Sequence, residues 1–209
     1  MVLGYHVILG MYGFWLPNDP RGSWSDFVRS WGLYRFAGPA TKTEERRSVA
    51  HDEHNARLRR AAKQCLCYPP VRLNGLQARA IGRGFGRFVE RSGLDIWACS
   101  ILPEHVHLVI GRHRYVVEQA VNLLRGAASR QLLAEGLHPF AGYPKPDGAT
   151  PSIWGRGLWK VFLDTPEDVR RAIQYVQENP VKEGKPAQKW WFVKDRASEA
   201  SGARVSWRL

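Results

Sequence analysis

Residues Leu102–Gly111 read LPEHVHLVIG. Apolar and polar side chains alternate between Pro103 and Gly111, which marks a half-buried β-strand. Successive side chains on a strand point to opposite faces, so His105 and His107 project together while Val106, Leu108 and Ile110 enter a core. Two imidazoles spaced in this way can each give a nitrogen to one divalent ion. Exposed histidine pairs share the spacing, so the meaning of this strand depends on what faces it.

Immediately before it, Leu94–Ile101 (LDIWACSI) reads as a second strand, and the Pro103 turn between the two predicts an antiparallel hairpin. Upstream, Asn74 and Gln77 form a capping-box-like signal. Ala78, Ile81, Phe85, Phe88 and Val89 then fall on one helical face, with Arg79, Arg83 and Arg87 on the other. Gly82, Gly84 and Gly86 lower helix propensity there, which implies close packing or an irregular helix.

Downstream of the histidines, Val117 to about Leu133 carries an apolar helical stripe, and IWGRGLWKVFL, residues 153–163, is the remaining strand candidate. The opening run Tyr5–Met11 (YHVILGM) is a first strand, in which His6 reads as a satisfied histidine at a strand edge. A last helix starts at Thr165 and Pro166, with Glu167 and Asp168 complementing its dipole, and is expected to stop at Pro180. The order strand, helix, strand, strand, helix, strand, helix predicts an α+β fold: one ferredoxin-like antiparallel sheet with helices packed on one side.

A chain of 209 residues suits a single domain, expected to span 1–209 with an insertion at about 25–68 and a basic tail at about 181–209. Thirty-one Lys and Arg face 19 Asp and Glu, a formal net charge of +12, which predicts attraction to polyanions. Nine tryptophans add surfaces on which unpaired bases can stack. Three cysteines without zinc-finger spacing read as reduced thiols. No apolar run approaches the ~20 residues of a membrane span, and the first residues read as a strand rather than a signal peptide, so a cytoplasmic protein is expected.

The Pro- and Gly-rich stretch Tyr12–Trp24 is a loop. Its tryptophans can anchor the loop to the core; alternatively Arg21 contacts phosphate and a tryptophan such as Trp24 serves as a base platform. Within the insertion, His51 and His54 (HDEH) read as a solvated helix surface. In the last helix, Arg171, Tyr175 and Asn179 lie four residues apart, placing a cation, a phenol and an amide along one stripe.

PEHVHLVI, YVQENPVKEG and the opening YHVILGMYGFWLPNDPRGSW together resemble the HUH single-tyrosine transposases of insertion sequences, most closely their REP-associated tyrosine transposase branch. The resemblance extends over most of residues 5–192. It implies an HUH endonuclease fold, with Mg²⁺ or Mn²⁺ held by His105, His107 and Asn179. It further implies that Tyr175 attacks single-stranded or hairpin DNA, leaving a 5′-phosphotyrosine and a free 3′-hydroxyl. Arg171 is a candidate for activating the phenol or gripping phosphate, and Arg21, Trp24, Arg156 and Lys182 are candidate DNA contacts. A monomer or homodimer without a membrane partner is expected. The alternative is a protein of the same fold that binds structured DNA or RNA without cutting it. Relatives often carry Asn where Glu104 stands, so this carboxylate either joins the metal or faces solvent.

Overall fold

A computed structural model of the chain describes residues 1–16, 35 and 55–196. Arg21, Trp24, the HDEH stretch and residues 197–209 lie outside the described residues. The elements in chain order are β1 (Gly4–Gly10), α1 (Ala56–Gln64), α2 (Gly75–Ser92), β2 (Ile96–Ile101), β3 (His105–Gly111), α3 (Val117–Ala134), β4 (Trp159–Leu163) and α4 (Pro166–Lys182).

All pairings in the sheet are antiparallel and its order is β2-β3-β1-β4. β1 and β2 therefore run parallel with β3 between them, and β3 and β4 run parallel with β1 between them. Two interleaved crossovers carry α2 and α3, which pack in one core on the same side of the sheet, the ferredoxin-like arrangement. Leu9, Val106, Leu108 and Ile110 meet Ile81, Phe85, Val121 and Leu124 there in the main core. The last helix follows no crossover and lies on the other face, where Val169, Ala172 and Val176 pack on Ala98, Val109 and Leu163. That second layer buries β3 on both sides, whereas alternation alone predicts a half-buried strand.

The helix ends follow local chemistry. Asn74 and Gln77 form the reciprocal capping box of α2, and Gly93 closes it at φ 69°. Thr165 and Asp168 cap α4 in the same way. Contrary to expectation, Pro180 does not stop α4. The helix continues to Lys182, with the Glu183 N–H donating to the Asn179 carbonyl at 3.1 Å. Proline forfeits one hydrogen bond, but in a final turn few others depend on it, and Pro180 is buried. The predicted strand 153–163 forms only from Trp159, because Trp154 makes an isolated bridge to Met11 and Gly157 turns the chain at φ 76°. Of the proposed insertion, the described part holds α1.

Residues 185–196 run along the edge of the sheet rather than over the histidines. The Gln188 side chain donates to the Ile101 carbonyl and accepts from its N–H, both at 2.8 Å, imitating a neighbouring strand. Lys194 N–H donates to Ile96 at 2.8 Å. The exposed edge of β2 is thereby covered. Trp190 and Trp191 lie against Gly82 and Gly86, which explains two glycines inside α2. The third, Gly84, meets the backbone of α3: a Cβ would stand 2.7 Å from Ala128 Cα. Gly84→Ala is therefore expected to lower stability by about 1–3 kcal/mol in urea unfolding, instead of raising it by the ~1 kcal/mol that helix propensity predicts.

All three cysteines are free thiols. Among the described residues no helix is long and apolar enough to cross a membrane.

Candidate active site

β1 pairs with β3 so that Ile8 stands opposite His107 and Gly10 opposite His105. His6, two residues from Ile8, shares their face. Its Nε2 lies 3.0 Å from His107 Nδ1, and the two rings stack with centroids 5.3 Å apart. The His105 and His107 rings meet edge-on at 4.8 Å. His6 is thus a buried member of a three-histidine cluster on a central strand, not a strand-edge residue. Its spacing within β1 held no signal of this, because the contact crosses 101 residues of sequence.

Helix α4 brings the phenol to the cluster. The Tyr175 ring lies 5.7 Å from His6 and 5.6 Å from His107, and the residue remains 44% exposed. Four residues on, Asn179 is buried in the last full turn, and its side-chain nitrogen has no hydrogen-bond partner. Just beyond it, Glu183 Oε1 stands 3.6 Å from His105 Nε2, a neighbour that spacing arguments missed. The Lys182 ammonium lies 5.7 Å from the Tyr175 ring centroid and 2.8 Å from Glu178.

Arg171 does not join them. A step of four residues turns about 40° round a helix, so the stripe through residues 171, 175 and 179 winds from solvent towards the sheet. Arg171 accordingly pairs with Asp168 at 2.7 Å in the first turns of α4. Glu104 is also directed elsewhere, 3.2 Å from Arg72. Arg156 is exposed on the loop before β4, next to Gly155, whose N–H donates to Gly10 at 2.8 Å. Trp159 of β4 packs edge-on against His6 at 5.9 Å and walls one side of the cluster.

Burial sets the protonation of this cluster. It lowers the His6 pKa to about 4, and it lowers His107 well below the ordinary value, helped by the neighbouring His105 and His6. Both are neutral at physiological pH, the form that ligates metals. Burial also raises the Tyr175 phenol; Lys182 opposes that rise and Glu183 adds to it.

In the unfolded chain His6 titrates near 6.5 and in the fold near 4, so between these values the unfolded state binds more protons. The contribution of neutral His6 to stability is therefore expected to be full above about pH 6.5, to fall as pH drops, and to be lost by about pH 4. The fall amounts to at most about 1.4 kcal/mol per pH unit for each such histidine. Urea midpoints measured across this range test it, and a flat profile would contradict the buried cluster.

Among the described residues, no three His, Cys, Asp or Glu side chains converge as a ready-made metal cage. The buried Asn179 side chain could supply an amide oxygen as a further ligand. Its orphaned nitrogen and its oxygen exchange places by a half-turn of the amide, which turns an unsatisfied donor into a cation ligand. Imidazole nitrogens of His105 and His107 together with an amide oxygen would be a candidate donor set for a divalent cation.

No family model matches the chain. Among curated proteins, the ISDra2 transposase TnpA of Deinococcus radiodurans is 28% identical over 98 residues, covering 44% of this chain and 63% of the relative. The chain thus spans less than two thirds of that relative's length. A solved structure of a REP-associated tyrosine transposase bound to a REP hairpin is similar at 13% identity, covering 87% of this chain and 68% of the other, with a TM-score of 0.44. A crystal structure of a transposase from Deinococcus radiodurans is similar at 16% identity, covering 90% and 94%, with a TM-score of 0.35. The curated relative is, like the family that the motifs resemble, a transposase.

Proposed function

We propose, from the likeness to a curated transposase and from the site itself, that this chain is a metal-dependent DNA strand transferase acting on single-stranded or hairpin DNA in transposition. The observation that carries the reading is an accessible phenol packed against two buried neutral histidines, on a helix whose next turn presents a buried amide.

His105, His107 and Asn179 would hold Mg²⁺ or Mn²⁺, which supplies positive charge to the scissile phosphate and to the departing oxygen. His6 is a positioning residue. Where His107 Nδ1–H is the donor to His6 Nε2, the contact would set the His107 tautomer and leave its Nε2 lone pair for ligation. Tyr175 Oη forms the new bond to phosphorus and loses its proton to solvent. The bond from phosphorus to the 3′-oxygen breaks, and that oxygen takes up a proton to become a 3′-hydroxyl. Lys182 favours the phenolate against the burial that disfavours it. One phosphoester replaces another of similar energy, so a 3′-hydroxyl on a second strand reverses the step without a nucleotide cofactor.

The test is direct. Labelled single-stranded oligonucleotides incubated with the full chain and Mn²⁺ are expected to yield an SDS-resistant protein–DNA product that disappears with a chelator. Binding without any such product, across oligonucleotides with and without hairpins, would leave only a basic nucleic-acid-binding protein. In either case affinity is expected to fall steeply with salt as counterions are released.

A further inference from the structure

We infer that Trp15 forms a nucleobase-stacking subsite beside the histidine cluster. Among the described residues it is the one non-glycine with positive φ, at 55°, a conformation that bulky L-residues rarely adopt. Its ring lies on Gly10: a Cβ there would stand 2.9 Å from the indole. Gly10 is in turn the register partner of His105, and the indole and His105 ring centroids are 5.9 Å apart, with the planes tilted by 36°. A strained backbone and a side-chain-free strand end thus cooperate to hold a flat aromatic surface at the rim of the site.

Anchoring the loop does not account for this. Met11 and Phe14, immediately before, are buried in the main core and already fix the chain there, while Trp15 stays partly exposed. A rigid, partly exposed indole beside a phosphodiester site suits the unpaired base flanking the scissile phosphate, since every base presents a π-face. Arg156, exposed on the loop that bonds to Gly10 through Gly155, stands at the same end of the sheet to meet the phosphate of that nucleotide. The inference rests on the reading that a single strand enters this cleft, and its test does not require the strand to be cut.

Full-length Tyr175→Phe protein is irradiated with random single-stranded oligonucleotides containing 5-iodo-deoxyuridine, which couples to stacked aromatic rings, and the linked peptides are sequenced. Linkage at Trp15 is the expected result; linkage at other tryptophans with Trp15 unmodified, or at none, overturns the subsite. In the same background, Trp15→Leu is expected to weaken strand binding roughly tenfold to a hundredfold, and Trp15→Phe to restore most of it. Equal affinities for Leu and Trp overturn it as well. Linkage at Trp15 in a chain whose native form yields no covalent product with Mn²⁺ would sink the cleavage reading and leave the subsite standing.

Discussion

Replacing Tyr175 by phenylalanine is expected to abolish covalent capture of DNA while leaving the protein folded and strand binding near normal. The substitution removes one hydroxyl from a residue that is 44% exposed, and the ring keeps its edge contacts with His6 and His107. Stability should change by no more than about 0.5 kcal/mol, the usual range for a surface change. Adduct formation should drop by roughly three orders of magnitude or more, because deleting a nucleophile removes the reaction path rather than tuning it. Denaturing gels of labelled oligonucleotide with Mn²⁺ read the adduct, and fluorescence anisotropy reads binding. A Phe variant that still forms adducts would move the nucleophile elsewhere and dissolve the assignment of α4.

The second large effect is expected at His107. This imidazole is 3% exposed and lies 3.0 Å from His6 Nε2, so His107→Ala does two things. It removes a proposed metal ligand, and it leaves the His6 nitrogen buried without its partner, at a cost of about 1–3 kcal/mol. Calorimetric titration should show Mn²⁺ affinity falling by roughly a hundredfold or more, with strand cleavage lost in step. The milder His6→Ala retains all three proposed ligands and disturbs only the orientation of one, so about tenfold to a hundredfold weaker Mn²⁺ binding is expected. Unchanged Mn²⁺ affinity in His107→Ala, in protein shown to be folded by circular dichroism, would eliminate the proposed ligand set.

Local patterns were legible where a single period governs them. Alternation in β3 set the two histidines on one face, and the signals at Asn74, Gln77, Thr165 and Asp168 marked helix starts that the structure shows as complete capping boxes. The glycines of α2 could be read only as a choice between packing and irregularity, since their reason lies in Trp190, Trp191 and Ala128, remote in sequence. Arg171 misled because equal spacing on a helix is not a straight line. Pro180 misled because a rule about intrinsic preference yields to burial when only one hydrogen bond is at stake.

The amino-acid order thus specified the strands, the helices, their succession and the shared face of His105 and His107, because each depends on neighbours within a few residues. The entry of His6, the burial of Asn179, the departure of Arg171 and Glu104 to other partners, and the seat of Trp15 on Gly10 arose from strand register and from the face on which α4 packs. A one-residue slip in the pairing of β1 with β3 would turn His6 away from His107. Such a contact is a property of two segments at once, and no periodicity within either segment contains it.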